Sequence, residues 1–223
     1  MGRADRSVRA DGAATRARIL EAAGALFAES GFAETTGKAI ARKAQVDVAS
    51  INYHFGSRSG LYQAVLSEAH RRIMDVADMR QFATSRVPAS EKLRLFIDRI
   101  VQRARSDRNG WHLPVMAAEL LAPTSHLQVL FESDISAKVS VVTGILGEIT
   151  GIPVDAPAMR LCLLSVAAPC MLLVIGQRGI PWVPLANPQM PHEVIVRHLY
   201  RFAMAGLEAC GRDYLAGHPR RGL

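Results

Sequence analysis

The chain is poor in aromatic residues (6%), has three cysteines and carries no long apolar run, and each shortage narrows what it can be. Cys162, Cys170 and Cys210 are odd in number, form no CxxC pair and lie in apolar helical patterns, which speaks against a disulfide framework or a thiolate metal site. They read as small buried residues of a cytoplasmic protein. The most apolar stretch, residues 161–175, contains Ser165 and Pro169 and is shorter than the ~18–20 residues that cross a bilayer. The opening MGRADRSVRADGAATR has no apolar segment, so neither a signal peptide nor a membrane anchor is expected there. No segment alternates with period two for long enough to make a strand. A nucleophile elbow, a Gly-rich phosphate loop, HExxH and paired carboxylates in a recognisable setting are all missing, and an enzyme is not expected. His112, Glu119 and His126 lack tight ligand spacing, so neither a metal nor another cofactor is expected.

What is present is helical periodicity and an uneven charge. With 223 residues, 49% of them hydrophobic, the chain can fill a core and fold unaided. Its formal charge is +7, and the first 110 residues carry 19 Lys and Arg against 12 Asp and Glu, whereas the remainder carry 8 against 8. The basic excess therefore lies in the N-terminal half, where an anionic partner would dock. Residues 1–12, with Arg3, Arg6 and Arg9 and no periodicity, read as a flexible basic arm. Residues 13–30 follow as a helix with Ile19, Leu20, Ala23, Leu26 and Phe27 on one side and Gly31 as its stop.

Residues 36–62, TGKAIARKAQVDVASINYHFGSRSGLY, contain two short helical patterns either side of a tight turn at Gln45 and Val46. Thr35 or Thr36 caps the first, and the second runs over 48–55 with Ile51 and Phe55, four apart, as buried anchors. Val48, Ala49, Ser50, Asn52, Tyr53 and His54 are left facing outward. This is the pattern of a helix-turn-helix, whose second helix enters the DNA major groove. Continuing from 59 to about 78, one helix joins it to the rest of the chain. Further helices are expected over 92–106, 112–121, 125–150, 156–177 and 192–214, with the proline-rich GIPWVPLANPQMP as a loop. The expected fold is all-α with about nine helices.

Three sequence marks resemble one family. They are RILEAAGALFAESGF in the first helix, TTGKAIARKAQV in the second, and NYHFGSRSGLY running through the third into the fourth. Together, over residues 13–66, they look like the DNA-binding domain of the TetR family of bacterial transcriptional regulators. The INYHFG form and the long C-terminal part are similar to the branch called the CerR or YbiH-like regulators. The resemblance implies a DNA-binding domain over 13–58, a helical ligand-binding and dimerisation domain over 59–223, and a homodimer on a double-stranded, palindromic operator. It places Lys38, Val48, Ala49, Ser50 and Asn52 at base edges and Thr36, Tyr53, His54 and Arg58 at phosphates. The chemistry of these side chains suits those roles: Lys38 can donate to guanine, Asn52 can pair with adenine, and Val48 or Ala49 can meet a thymine methyl. The family usually has Gly where this chain has Gln45, and a Cβ there is penalised if the turn is left-handed.

Helices over 156–177 and 192–214 are the expected dimer surface. The first is apolar almost all round, and the second carries an Ile195, Leu199, Phe202, Gly206 stripe. Trp111, His112, Met116, Glu119, Phe131, Asp134 and Trp182 are candidates for a pocket that takes a small-molecule effector, since they combine apolar bulk with a few polar points. His112 and Glu119 have the plainer alternative of pairing with each other. The functional expectation is a repressor released from its operator by that effector; the alternatives are a non-specific architectural DNA binder and, further off, an enzyme with an appended helix-turn-helix. Tyr53→Ala is expected to weaken binding to every DNA sequence, while Asn52→Ala relaxes preference at one base pair at a cost of ~1–3 kcal/mol there. Titrations on specific and scrambled duplexes measure both, and an equal loss on the two duplexes for Asn52→Ala would remove its base-reading role.

Overall fold

The computed structural model describes residues 3–106, 110–176 and 190–218, and every regular element among them is helical. Eleven α-helices follow in order among the described residues: α1 Arg3–Glu34, α2 Gly37–Ala44, α3 Val48–Phe55, α4 Arg58–Ile73, α5 Val76–Thr84, α6 Ala89–Ser106, α7 His112–Leu121, α8 Ser125–Leu130, α9 Ser136–Thr150, α10 Pro157–Gly176 and α11 His192–Gly217. They form two compact units, one of α1–α4 with α7 and α8, the other of α5, α6 and α9–α11. The all-α expectation holds. Packing nevertheless divides the chain differently from a cut at residue 58, because α4, α7 and α8 fold with the N-terminal helices.

In the first unit the core is an apolar seam. Ile19, Ala23 and Phe27 of α1, Ile40, Ala41 and Ala44 of α2, Ile51 of α3, and Leu61, Val65 and Leu66 of α4 are all buried. Thr36 caps α2 by accepting from the Ala39 N–H at 3.2 Å, and Asp47 caps α3 by accepting from the Ser50 N–H at 2.6 Å. Between them Gln45 sits at φ 55°, ψ 49°, so the turn is left-handed and the backbone of this residue, which has a Cβ, is strained. Gly31, at φ 76° and ψ 174°, breaks the helical path of α1 and puts a kink before its last residues.

Several expectations are corrected. Residues 3–12 are helical and extend α1, so the arm over 1–12 is not unstructured within its described part; Ala and Arg are good helix formers, which outweighed the missing apolar period. The helix expected over 59–78 ends at Ile73, and α5 was not anticipated. Ile73 and Met79 are both buried, so the apolar rhythm hides the break, which Asp75 marks by accepting from the Ala77 N–H at 2.7 Å. The single helix expected over 125–150 is α8 and α9 joined by a π-helical turn, Phe131–Ile135, whose extra residue per turn leaves no sequence mark. Cys162 and Cys170 are buried, but Cys210 is exposed. Apart from Met190 and Pro191, the GIPWVPLANPQMP loop lies outside the described residues.

In the second unit Leu93, Ile97, Ile100 and Val101 of α6, Val142, Ile145 and Leu146 of α9, Met159, Val166 and Cys170 of α10, and Val196 and Leu207 of α11 build the core. Lys92 is buried with its Nζ 3.2 Å from the Glu148 carboxylate. Gln45→Gly is expected to raise stability by ~0.5–1 kcal/mol, since relief of a left-handed Cβ exceeds the entropy glycine adds to the unfolded chain. Denaturant unfolding checks this, and a lower midpoint for the variant would show that the turn carries no strain.

Candidate nucleic-acid interface

Burial of Ile51, 2% exposed, turns the opposite face of α3 outward. That face carries Val48, Ala49 and Asn52 in the open, with Tyr53 86% exposed, and His54 half-buried beside it. The Tyr53 and His54 rings meet edge to face at 5.0 Å, which orients the phenol tip rather than leaving it loose. Ser50 is partly committed: its hydroxyl donates to Asp47 at 2.7 Å, and this bond with the cap holds the Asp47 carboxyl below the usual carboxylate range. Ahead of α3, Thr36 and Lys38 are exposed at the N-terminus of α2, where free N–H groups and the helix dipole suit a phosphate.

Phe55 is not the buried anchor that its spacing suggested. It is half-exposed at the end of α3, and the Arg16 guanidinium of α1 covers its ring at 4.8 Å. Arg16 is itself exposed, yet it precedes Phe55 by 39 residues, so no local pattern revealed the contact. Arg58 is a second correction. Its Nη1 donates to the carbonyls of Phe32 at 2.9 Å and Thr35 at 2.6 Å, and its guanidinium lies 4.2 Å over the Phe32 ring. Rather than reaching out to phosphate, it ties the end of α1 and the segment before α2 to the start of α4. At the α3–α4 corner Gly60 lies directly against the Phe55 carbonyl, where any side chain would collide. The corner is therefore tight.

The residues expected to line an effector pocket are dispersed. Trp111 donates from its indole to Glu21 at 2.7 Å and lies on Gly24 of α1, where a Cβ would enter the ring. His112 stacks on Trp111 at 4.0 Å, and Met116 is buried core. Glu119, 1% exposed, accepts from Tyr62 at 2.7 Å and from the Thr124 hydroxyl and N–H at 2.6 and 2.9 Å, so it does not pair with His112. Burial and that bond push the Tyr62 phenol well above its usual range. Phe131 is half-exposed in the first unit, while Asp134 belongs to the second. There Asp134 and Asp75 act on Lys138, whose burial outweighs them and brings its amine down to about 8. Trp182 lies outside the described residues. A groove of about 360 Å³ along α11, lined by Val194, Arg197, His198, Arg201 and Phe202, includes none of these candidates. One residue not anticipated is Gln63 on α4: its amide N and O are both buried without a hydrogen-bond partner among the described residues.

Comparison with known proteins agrees with this geometry. Residues 19–65 match the family described as bacterial regulatory proteins, tetR family, and residues 89–207, more than half of the chain, match the C-terminal domain of the HTH-type transcriptional dual regulator CecR. The Probable HTH-type transcriptional regulator YttP of Bacillus subtilis is 41% identical over 54 residues, which is 24% of this chain and 26% of that relative's length. The chain thus aligns with about a quarter of that relative. Among solved structures, the fatty acid degradation regulator FadR from Bacillus halodurans superposes with a TM-score of 0.66 at 17% identity, covering 85% of this chain and 97% of that one. FadR from Bacillus subtilis in complex with stearoyl-CoA gives 0.66 at 19% identity, covering 85% and 97%. A TetR-like regulator from Rhodococcus sp. RHA1 gives 0.64 at 17%, covering 86% and 95%. At these identities the likeness is one of fold.

Arg58→Met is expected to cost ~1–3 kcal/mol of stability, because it leaves the Phe32 and Thr35 carbonyls without this donor and takes the guanidinium off the Phe32 ring. The slope of log affinity for DNA against log salt should stay at the wild-type value. A slope smaller by ~1 would restore Arg58 as a phosphate contact.

Proposed function

The chain belongs to the TetR family of bacterial transcriptional regulators and is a DNA-binding regulator, and from that premise we propose that it acts as a homodimeric repressor, released from a palindromic operator by a small-molecule effector. The observation that carries this reading is the exposed face of α3: Val48, Ala49, Asn52 and Tyr53 stand in solvent, with Lys38 and Thr36 at the start of α2. In the proposed complex Lys38, Val48, Ala49, Ser50 and Asn52 read base edges, and Thr36, Tyr53 and His54 hold the backbone.

Dimerisation is supported by apolar side chains that the second unit leaves uncovered. Leu161 and Leu164 of α10 are mostly exposed, and Phe202 of α11 is 72% exposed, a poor arrangement for an isolated chain. A two-fold pair would cover them and set two α3 helices about one DNA turn (~34–36 Å) apart. For the effector, the buried and unsatisfied amide of Gln63 supports a site beside α4, since an unmet amide in the interior costs ~1–3 kcal/mol that a hydrogen-bonding ligand would recover. The similarly folded FadR with stearoyl-CoA is a precedent for a small molecule in this fold. An effector lowers operator affinity only to the extent that it prefers the chain in the wrong pose for DNA. A cytoplasmic location follows from this role, and no helix among the described residues is long and apolar enough to cross a membrane.

A duplex selected from a randomised pool should be bound about 10³-fold or more tighter than a scrambled one, by two chains. Phe202→Glu should yield monomers that lose most of that preference. Equal affinity for both duplexes would instead identify an architectural DNA binder, full operator binding by monomeric Phe202→Glu would overturn the need for a dimer, and a variant that stays dimeric would move the interface elsewhere.

A further inference from the structure

The turn from α7 to α8 brings five polar side chains of the first unit into one chain of hydrogen bonds that ends just behind the reading helix. Ser59 Oγ, in the first turn of α4, lies 2.7 Å from His126 Nε2, and His126 Nδ1 lies 3.1 Å from Thr124 Oγ1. The Thr124 hydroxyl donates to Glu119 Oε1 at 2.6 Å, and Tyr62 donates to Glu119 Oε2 at 2.7 Å. Valence then orders every proton. Thr124 has a single hydroxyl hydrogen and directs it to Glu119, so towards His126 it can only accept, and Nδ1 carries the ring hydrogen. In the neutral ring Nε2 is consequently bare and accepts from Ser59. The second lone pair of Thr124 Oγ1 takes the His126 backbone N–H at 3.2 Å, which leaves the hydroxyl fully used.

The ring itself is wedged between α1 and α4. It lies 5.2 Å from Phe32 and meets Tyr62 edge-on at 5.1 Å. The residue before Ser59 is Arg58, which grips the Phe32 and Thr35 carbonyls. The first turn of α4 is thus held by the end of α1 on one side and by His126 on the other. Because Gly60 abuts the Phe55 carbonyl at the α3–α4 corner, α3 follows the position of that turn without slack.

We propose that His126, as the Nδ1–H tautomer bonded to Ser59, is a positioning residue for DNA reading: it makes the pose of α3 depend on the α7–α8 corner. The inference rests on α3 being the DNA-reading element, and adds the contact through which a shift at α7 would reach it. Breaking the Ser59–His126 bond frees the first turn of α4 while leaving every side chain on the reading face intact.

Two measurements on the full-length chain test this. First, the ¹⁵N–¹H pattern of the His126 ring should show a hydrogen on Nδ1 and a bare Nε2; the opposite tautomer would overturn the hydrogen-bond order. Second, His126→Phe, which keeps the ring contacts and deletes the bonds, and Ser59→Ala should each lower affinity for the selected duplex by about tenfold, the size of one lost hydrogen bond, with scrambled DNA unaffected. The double variant should lose no more than His126→Phe alone, because that substitution already removes the bond to Ser59. Unchanged operator affinity, or losses that add, would overturn the proposal, and Ser59→Ala, at an exposed position, carries the test if His126→Phe fails to fold. A wild-type chain that prefers no duplex at all would instead overturn the reading on which the inference rests.

Discussion

Everything at the reading end depends on one apolar seam. Ile19, Ala23 and Phe27 of α1 are buried together with Ile40, Ala41 and Ala44 of α2 and Ile51 of α3, and this fixes the angle at which α3 leaves α2. A buried Ile or Phe contributes ~1.5–3 kcal/mol, so the seam outweighs the ~1–2 kcal/mol that a left-handed Gln45 costs. The strain is tolerated because the only way to bury Ile40 and Ile51 in the same core is to turn sharply between them. The same constraint sends Val48, Ala49, Asn52 and Tyr53 to solvent, so this outward face is the complement of the core face and needs no separate cause.

Behind that face the first unit adds polar contacts to its apolar packing. Arg58 satisfies two main-chain carbonyls and covers Phe32, and Glu119 gathers Tyr62 and Thr124 in the interior. Such contacts are directional and short-ranged, so they fix geometry where a hydrophobic contact would tolerate sliding. They also explain why residues that look suited to a ligand pocket are otherwise engaged. Trp111 and Glu119 have the composition of a binding site, but each already has a partner on another helix of its own unit. The most exposed of the large aliphatic side chains and of the phenylalanines, Leu161 and Leu164 of α10 and Phe202 of α11, belong to the second unit.

The sequence alone determined what depends on near neighbours. The bounds of α3, a threonine cap at the start of α2, the burial of Ile51, the exposure of Tyr53 and the all-α class follow from spacing and capping chemistry within a few residues. Only the tertiary structure decided what depends on distant partners: that Arg58 turns inward to carbonyls 23 and 26 residues away, that Arg16 covers Phe55, and that Ser59 meets His126 across 67 residues. The breaks at Asp75 and at the Phe131–Ile135 turn stayed hidden for a related reason. Helical periodicity reports which side of a segment is buried, and that side can persist through a bend, whereas the bend is imposed by what the segment packs against.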